Sequence, residues 1–363
     1  MEAAKRGGNG QTHKRPDLEK VTTGEMVSGG DTRRPHEGND GHHAMEMEEE
    51  EEMKPHEIFE IYRSEWIQGY GKNDAAAFYK PTKLPPMRCT DGPVLPVSAQ
   101  PMDTMEIFFV KVASLAGGLK WPLDVYGDVA VRDSKDRMRN CLFPRDRGNC
   151  QTLTSPLLAR GDWYWSHSDQ EFFTHVCTAV SGGDDSLLEL TGPSRAITLL
   201  DEPIFEIDLK VKGDGRSPSS SRDDKVLCLH YFGYNNIAYR GAVSYARTED
   251  ISSESCAMSF RFAHVRRAVE ATIIARVTSG SGRFAARFTA RTASIGEDVV
   301  LLDSRGQEVA VAEDGEVLLR RRVVVVEHLG KLLHFTAWSA LRSLGFFVIG
   351  SVRIQILVAA SLE

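Results

Sequence analysis

The chain has 363 residues, of which 44 are Lys or Arg and 51 are Asp or Glu, so its formal net charge is −7. This length suffices for one large or two modest domains, and the acidic balance excludes a uniformly basic nucleic-acid binder. Six Cys in so long a chain exclude a disulfide-rich scaffold.

Residues 1–56 differ in composition from the rest of the chain. They carry eight Lys or Arg against thirteen Asp or Glu, which accounts for −5 of the total −7. They contain a single Leu (Leu18) and no Phe, Trp, Tyr or Ile. So polar a segment cannot bury enough apolar surface to offset the entropy of ordering it. We therefore predict a disordered tail that ends in the acidic run 46–52.

The same region bears on the cellular compartment. Residues 1–10 contain Lys5 and Arg6, but the apolar core of a signal peptide does not follow them. The chain has no Asn-x-Ser/Thr glycosylation site, and its cysteine spacing does not require disulfides. These features predict an intracellular protein, cytoplasmic or nuclear, with free thiols.

The segment after the tail predicts one amphipathic helix and a connector. Ile58, Tyr62 and Trp66 recur at helical spacing, which predicts a helix over residues 57–70. Residues 80–101 contain six Pro, which favour an extended chain.

From about residue 104 the hydrophobic period changes to two, which is typical of half-buried strands. Phe205, Ile207 and Leu209 alternate with charged residues, for example, and Gly-rich turns separate such stretches. The predicted strands are 105–112, 125–131, 196–200, 205–212, 226–232, 256–262, 269–277, 284–290, 298–302, 307–312, 316–326 and 330–337. They predict a mostly β fold, an antiparallel β-sandwich or barrel.

The predicted organisation is thus a disordered acidic tail (1–56), a helix with its Pro-rich connector (57–103) and a β-rich domain (104–363). Within the domain, the segment VYGDVAVRD (125–133) resembles FAARFTART (284–292), which predicts two related β-rich halves.

The apolar stretch 343–360 could be a membrane anchor. However, Arg353 and Gln355 stand near its middle, where a charge is costly in lipid. The stretch also alternates, so we predict a last strand and no stable membrane insertion.

Seven blocks of the chain carry a family resemblance. They are GGLKWPLDVYGDVAVRD (117–133), NCQTLT (149–154), LTGPSRAI (190–197), IFEIDLKVKG (204–213), VEATIIARV (269–277), TASIGEDVVLLDS (292–304) and DGEVLLRRRVVVVE (314–327). Over about residues 57–338 the chain is similar to a plant domain-of-unknown-function family, numbered 6598, that is abundant in grasses. The family has no established activity. Some grass members look fused to ribosome-inactivating domains of the jasmonate-induced type, and this implies a stress or defence setting.

The chain departs from that family pattern after Thr154. Family members pass almost directly from NCQTLT to the equivalent of Asp185, whereas this chain carries extra sequence that includes Trp163. We place residues 155–183 as an inserted surface loop.

Clustered carboxylates near residue 130 are the first candidate site. Calcium requires six to eight oxygen ligands, which Asp residues on sandwich loops can supply. Interleaved basic residues such as Arg132 and Arg137 would repel the ion, so we favour a solvated turn over a metal site. The residues concerned are Asp124, Asp128, Asp133, Asp136 and Asp146.

A row of arginines is the second candidate. Arg283, Arg287 and Arg291 share one face of a predicted strand and could contact phosphates of RNA or of the ribosome. No aromatic side chain that could stack on bases is interleaved on that face. The alternative is an outer sheet face whose arginines pair with nearby acids.

Catalytic motifs are not recognisable. A ribosome-inactivating glycosidase needs a Glu and an Arg one helical turn apart, whereas Glu270 and Arg276 are too far apart and lie in a strand pattern. No nucleophile elbow, phosphate loop or dinucleotide fingerprint occurs in the sequence. Four His of the β-rich domain fall on different predicted strands, so we expect no zinc site; they are His230, His264, His328 and His334.

Two further residue types, Cys and Trp, have a structural and a functional interpretation. Cys228 and Cys256 lie in apolar strands and are expected to be core residues, while Cys141 and Cys150 could bridge if a turn brings them together. Trp121 either packs against the core or forms a lip for a ligand.

We therefore expect a non-enzymatic interaction module with an unidentified protein partner and without cofactors. The alternatives are a defence accessory that acts on ribosomes or RNA and a calcium-dependent membrane binder of C2 type.

Overall fold

The computed structural model describes residues 53–86, 100–155, 186–213, 223–280, 283–292 and 294–327, and the backbone of strands 334–337, 346–349 and 352–361. The predicted acidic tail and the predicted inserted loop lie outside these residues except for their ends.

One α-helix precedes the sheets, and α1 spans Pro55–Gly69. The Lys54 N–H donates to the Glu57 carboxylate at 3.0 Å and so satisfies one of the free donors of the first turn. Phe59 and Trp66 are the buried residues of the helix. Trp66 is therefore buried as predicted, whereas Ile58 is exposed and its neighbour Phe59 is buried in its place. A 3₁₀ turn, Ala75–Tyr79, follows the helix and buries Phe78.

Fifteen strands follow within the described residues. They are β1 (Met102–Leu115), β2 (Leu123–Arg132), β3 (Asn140–Arg145), β4 (Gln151–Leu153), β5 (Ile197–Thr198), β6 (Ile204–Val211), β7 (Lys225–Gly233), β8 (Tyr245–Ser252), β9 (Cys256–Ser279), β10 (Arg287–Arg291), β11 (Val299–Asp303), β12 (Val323–Glu327), β13 (His334–Ala337), β14 (Phe346–Ile349) and β15 (Val352–Ser361). The predicted last strand therefore forms, and no helix among the described residues is long and apolar enough to cross a membrane.

A seven-stranded antiparallel sheet is built around β9, which has 24 residues. Its first part pairs with β1 and β8, and its second part pairs with β15 and β12. The sequence predicts two strands here, 256–262 and 269–277. In the structure these two stretches form one continuous strand, because the chain bends at a bulge near Arg267 (φ 45°) and does not turn back.

Two smaller antiparallel sheets pack on the large one. The first has the order β3-β2-β6-β7 with β4 also on β2, and the second has the order β11-β10-β13. One hydrophobic core joins the five-stranded sheet to β1 and the first part of β9, and a second core joins the three-stranded sheet to the second part of β9. The described strands therefore form a β-sandwich of open sheets with two cores, as the alternation predicts.

The two halves repeat one topology. In the first half β2 lies between β3 and β6, and in the second half β10 lies between β11 and β13. The register agrees as well, because a bulge falls between Val129 and Ala130 in β2 and between Phe288 and Thr289 in β10. These are matching positions of the two similar segments 125–133 and 284–292. The predicted relation between two β-rich halves is therefore present in the strand pairing.

Buried carboxylates join the halves. The Glu106 carboxylate on β1 accepts from the Val325 N–H of β12 at 2.5 Å, and the Glu270 carboxylate on β9 accepts from the Ala196 N–H before β5 at 2.6 Å. Each half thus supplies an acid that binds a backbone N–H of the other half, which fixes the two cores against each other.

Candidate functional site

The loop between β7 and β8, residues 234–244, presents large apolar side chains to solvent. Ile237 is 76% exposed and Val243 is 72% exposed. Tyr239 is exposed on the same loop, and Leu200 is exposed on the neighbouring segment before β6. Since burying such a side chain is worth about 1.5–3 kcal/mol, these neighbouring side chains form a candidate contact surface. We name these four residues the apolar tip.

Buried polar groups hold the loop in place. The Asn236 side chain donates to the Leu199 carbonyl at 2.7 Å, and the Tyr234 N–H donates to the Pro203 carbonyl at 3.0 Å. The Tyr245 hydroxyl donates to the Tyr239 carbonyl. The loop is therefore anchored at its base, and the apolar tip projects from a fixed backbone.

Asp103 is the centre of this anchor. Its carboxylate accepts from the Arg240 Nε at 3.0 Å, the Arg266 Nε at 3.1 Å and the Arg267 N–H at 3.1 Å, and it faces His264 at 3.3 Å. Burial raises the pKa of Asp103, but these donors and charges outweigh burial and hold the pKa below its usual value. Arg240 belongs to the loop and Arg266 to β9, so the carboxylate joins the loop to the large sheet.

His264 extends the anchor inward. Its Nδ1 lies 2.9 Å from the Tyr234 hydroxyl, which lies 2.5 Å from the Tyr245 hydroxyl. Asp103, His264 and the Tyr234 hydroxyl thus form a hydrogen-bonded series of an acid, a His and a hydroxyl, which is the order of groups in a catalytic triad. However, burial lowers the pKa of His264 and raises the pKa of Tyr234, so the phenol is stabilised in its unreactive form. Both side chains are also buried, and the arrangement therefore positions the loop.

The charge on the β7–β8 loop itself has one sign, although the acids Asp201 and Glu202 follow Leu200 of the apolar tip. Residues 234–244 contain no Asp or Glu, and Arg240 is more than half exposed although it binds Asp103. Arg267 is exposed beside the loop, and among the described residues its side chain has no ion-pair partner. The surface thus combines apolar side chains with cations.

The family model of a domain of unknown function, DUF6598, matches residues 104–159 and 167–345 of this chain. The chain belongs to the DUF6598 family. The comparisons with curated proteins and with solved structures find no match. The two matched ranges of the DUF6598 domain include most of the two β halves and the whole β7–β8 loop. The gap between them lies within the predicted insertion 155–183.

The predicted arginine row of the DUF6598 domain is exposed, and each of its members faces an acid. Arg291 Nε lies 2.7 Å from the Asp298 carboxylate, and Arg283 and Arg287 lie 3.4 Å from Glu308 and 3.6 Å from Asp303. This is the arrangement of the alternative interpretation, in which the arginines pair with acids of the same surface. Local acids compete with a phosphate for the same guanidinium groups.

The predicted solvated turn near residue 130 is partly buried. Arg195 donates to the Asp133 carboxylate at 2.7 and 2.8 Å and to Asp136 at 3.2 Å. Asp133 is buried, so the interpretation as a solvated turn is wrong for this residue. A guanidinium group thus occupies the position where clustered carboxylates would bind calcium. Among the described residues, no group of three His, Cys, Asp or Glu could hold a metal ion.

The remaining candidate residues of the sequence analysis do not come together in one site among the described residues. Trp121 packs partly buried against the first core. Cys141 and Cys150 are free thiols, and Cys228 and Cys256 are buried core residues, as expected. His264 and His230 lie on different strands.

Sequence reasoning missed Asp103, Tyr234 and the loop that they hold. Asp103 and His264 are 161 residues apart, so only the pairing of β1 with β9 brings them together. The available signal was a run of 11 residues without an acid or an alternating pattern, residues 234–244.

Proposed function

We propose that this DUF6598 domain is a non-enzymatic interaction module that attaches to anionic membrane surfaces through its β7–β8 loop. The observation that carries the proposal is the apolar tip: Ile237, Tyr239 and Val243 are exposed on a loop that a buried polar network fixes, and Leu200 is exposed on the neighbouring segment. The reactive groups nearest to the loop, His264 and Tyr234, are buried and serve to hold it.

The apolar tip has the composition of an interfacial anchor. Ile237 and Val243 are aliphatic, and Tyr239 combines an aromatic ring with a polar hydroxyl, which suits the boundary between lipid headgroups and acyl chains. The Tyr239 ring is stacked on Tyr234 at 6.1 Å, and the Arg247 guanidinium lies 4.0 Å from its centroid. The ring is therefore already oriented before contact, which reduces the entropy lost on binding.

The charges favour an anionic lipid surface over a second protein. Arg240 and Arg267 stand beside the apolar tip, and a basic side chain near an anionic leaflet contributes about 1 kcal/mol. A standard protein interface takes about 20–30 residues on each side, whereas this surface is one short loop with its neighbours. A few inserted side chains with adjacent cations form the smaller contact that a membrane needs.

Vesicle flotation tests this function. The purified full chain is mixed with vesicles of phosphatidylcholine alone or of phosphatidylcholine with one-fifth phosphatidylserine and is then centrifuged through a density gradient. We expect the protein to float with the anionic vesicles only, and we expect the bound fraction to fall as salt rises because the cations are screened.

Matched variants locate the contact. The double variant Ile237→Ser with Val243→Ser should lose flotation, and Arg267→Glu should weaken it. Val226→Ser with Leu318→Ser is the control, because both residues are 47% exposed and lie outside the loop. Equal flotation of the loop variant and the control, binding to neutral vesicles alone, or no flotation of the wild type would contradict the proposal. The last result would favour a protein partner.

The other candidate functions have less support from the described residues. Action on ribosomes or RNA would use Arg283, Arg287 and Arg291, whose acids reduce the attraction for phosphate. Calcium-dependent binding would use Asp133 and Asp136, which Arg195 already binds. The proposed membrane contact therefore does not depend on calcium.

A further inference from the structure

Two thiols meet between the sheets of the first half. Cys228 lies on β7 of the five-stranded sheet, and Cys256 is the first residue of β9 in the seven-stranded sheet. Both are buried in the same core. The Cys256 S–H donates to the carbonyl of Leu227, the residue before Cys228, at 3.3 Å, so the Cys256 sulfur lies against the backbone next to Cys228. This contact joins two strands that are not paired with each other in the described sheets.

The two thiols differ in acidity. The Cys228 S–H donates to Cys256 and lowers the pKa of Cys256, and the Ser253 hydroxyl, 3.6 Å from that sulfur, acts in the same direction against the effect of burial. The same hydrogen bond, together with burial, raises the pKa of Cys228. Since a thiolate is the nucleophile in disulfide exchange, Cys256 is the sulfur that can attack first.

A surface turn lies beside Cys256. Residues 253–255 connect β8 to β9, and Glu254 in this turn is exposed. The Glu254 carboxylate lies 2.7 Å from the His56 Nδ1 at the start of α1, which is an exposed contact. Exposed contacts break at low cost, so local opening of this turn can admit a small molecule to Cys256 while the strands stay paired.

We propose that Cys228 and Cys256 form an oxidisable dithiol, which closes into a disulfide between the two sheets of the first half when the chain meets a small-molecule disulfide such as oxidised glutathione. The modification is independent of the proposed membrane contact, because neither thiol belongs to the β7–β8 loop. It assigns a chemical role to two residues whose burial alone suggests only packing.

The reaction proceeds in two exchanges. The Cys256 thiolate attacks one sulfur of oxidised glutathione, a bond forms between them, and one glutathione thiolate leaves. The Cys228 thiolate then attacks the Cys256 sulfur and displaces the second glutathione. The two protons of the protein thiols pass to the two glutathione thiolates. One oxidised glutathione is thus reduced to two glutathione molecules while the dithiol is oxidised to one disulfide.

The test uses the full chain in buffers of rising oxidised-to-reduced glutathione ratio. Tryptophan fluorescence verifies that the protein is folded, and the samples are quenched with acid and alkylated in denaturant. Peptide mass spectrometry then reports each thiol. We expect Cys228 and Cys256 to escape alkylation together and to appear in one linked peptide. The oxidised chain should melt about 5 °C higher, because a cross-link constrains the unfolded state.

Single variants separate the two steps. Cys228→Ser should trap glutathione on Cys256, whereas Cys256→Ser should leave Cys228 unmodified. The double variant Cys141→Ser with Cys150→Ser is the control and should retain the linked peptide, since these partly buried thiols lie in β3 and directly before β4.

Three results would overturn the proposal. They are full alkylation of both cysteines at every ratio, linkage of Cys256 to a cysteine other than Cys228, and linkage that appears only in samples whose fluorescence shows unfolding. The wild-type measurement decides among these results even where a variant does not fold.

Discussion

Both halves of the DUF6598 domain have an arginine at the same position of equivalent strands, but the two arginines lie in different surroundings. Arg132 ends β2 and Arg291 ends β10, and the two similar segments align these residues. Arg132 is buried and binds the buried Glu206 of β6, whereas Arg291 is half exposed and binds Asp298 at the surface. The duplicated topology thus preserves the position and not its environment.

The difference arises because α1 and the 3₁₀ turn pack over β2 in the first half. Trp66 of α1 and Phe78 of the 3₁₀ turn lie over the outer side of β2, with their ring centroids 4.3 and 4.5 Å from the Arg132 guanidinium. The residue that pairs with Ala130 is Glu206, whereas the residue that pairs with Thr289 at the matching position is Thr336. A covered position needs a charge partner beside it, and an exposed position does not.

The largest expected effect follows from removal of Arg132. The variant Arg132→Ala leaves Glu206, which also binds Arg139 Nε at 2.7 Å, with one of its two cations in the interior. Breaking a buried ion pair costs about 3–5 kcal/mol. We expect urea unfolding to show a loss of this size in the free energy of unfolding with an unchanged denaturant slope. A loss below about 1 kcal/mol, which is typical of surface pairs, would show that Arg132 is solvated.

The next effect concerns Glu106, which connects the first half to the second. Burial raises its pKa to about 7 despite the opposing charge of Arg321. Because the folded-state pKa exceeds the unfolded value, protonated Glu106 favours the folded state below about pH 4.5, and this stabilisation is lost as the pH rises through about 7. The shift corresponds to a loss on the order of 3 kcal/mol, at about 1.4 kcal/mol per pKa unit.

Urea unfolding between pH 4.5 and 8 of the wild type and of Glu106→Gln measures this contribution. The comparison is needed because His264, whose pKa burial lowers, titrates with the opposite slope below pH 6.5. We expect the stability of the wild type relative to the variant to fall over this range and to level off above it. A constant difference would mean that Glu106 keeps its ordinary pKa in the fold.

The sequence predicts most strands because one side of each is buried. β6 and the two parts of β9 alternate visibly, and their burial follows that alternation. β8 was missed because it is an edge strand whose residues are mostly exposed or half-buried, so selection for a hydrophobic period is weak. β3 was missed because its buried residues Leu142 and Phe143 are adjacent at a bulge and are followed by the exposed Pro144, so the strand does not alternate. Local sequence patterns reflect the alternation of buried and exposed residues, and neither β3 nor β8 alternates regularly.

The candidate site could not be predicted in the same way. The anchor of the β7–β8 loop depends on Asp103, which reaches His264 and Arg240 only after β1 has paired with β9. The apolar character of Ile237 and Val243 is visible in the sequence, but their exposure is a property of the folded loop. Conversely, the arginine row was visible at once, and only the structure shows that acids face it.

A smaller effect tests the packing of α1 on the sheet of the first half. The Tyr62 hydroxyl of α1 donates to Glu206 at 2.6 Å, while its ring stacks on Tyr231 at 4.3 Å. Tyr62→Phe removes the hydrogen bond to a buried carboxylate and keeps the ring, so we expect a loss of about 1.5–3 kcal/mol. Tyr79→Phe is the control, since this exposed hydroxyl binds the exposed Arg63, and it should cost less than about 1 kcal/mol. Equal losses in urea unfolding for both variants would contradict a special role of the covered hydroxyl.

The smallest effect belongs to the counterpart in the second half. Arg291→Ala removes an exposed ion pair with Asp298, which is screened by water and salt, so we expect a loss below about 1 kcal/mol. The double variant with Asp298→Ala should give a coupling energy in the same range, and the coupling should shrink at high salt. A loss comparable to that of Arg132→Ala would contradict the comparison, because it would require the outer side of β10 to be covered as that of β2 is. If the loss is small, covering one face of a duplicated sandwich is what converts a surface arginine into a structural one.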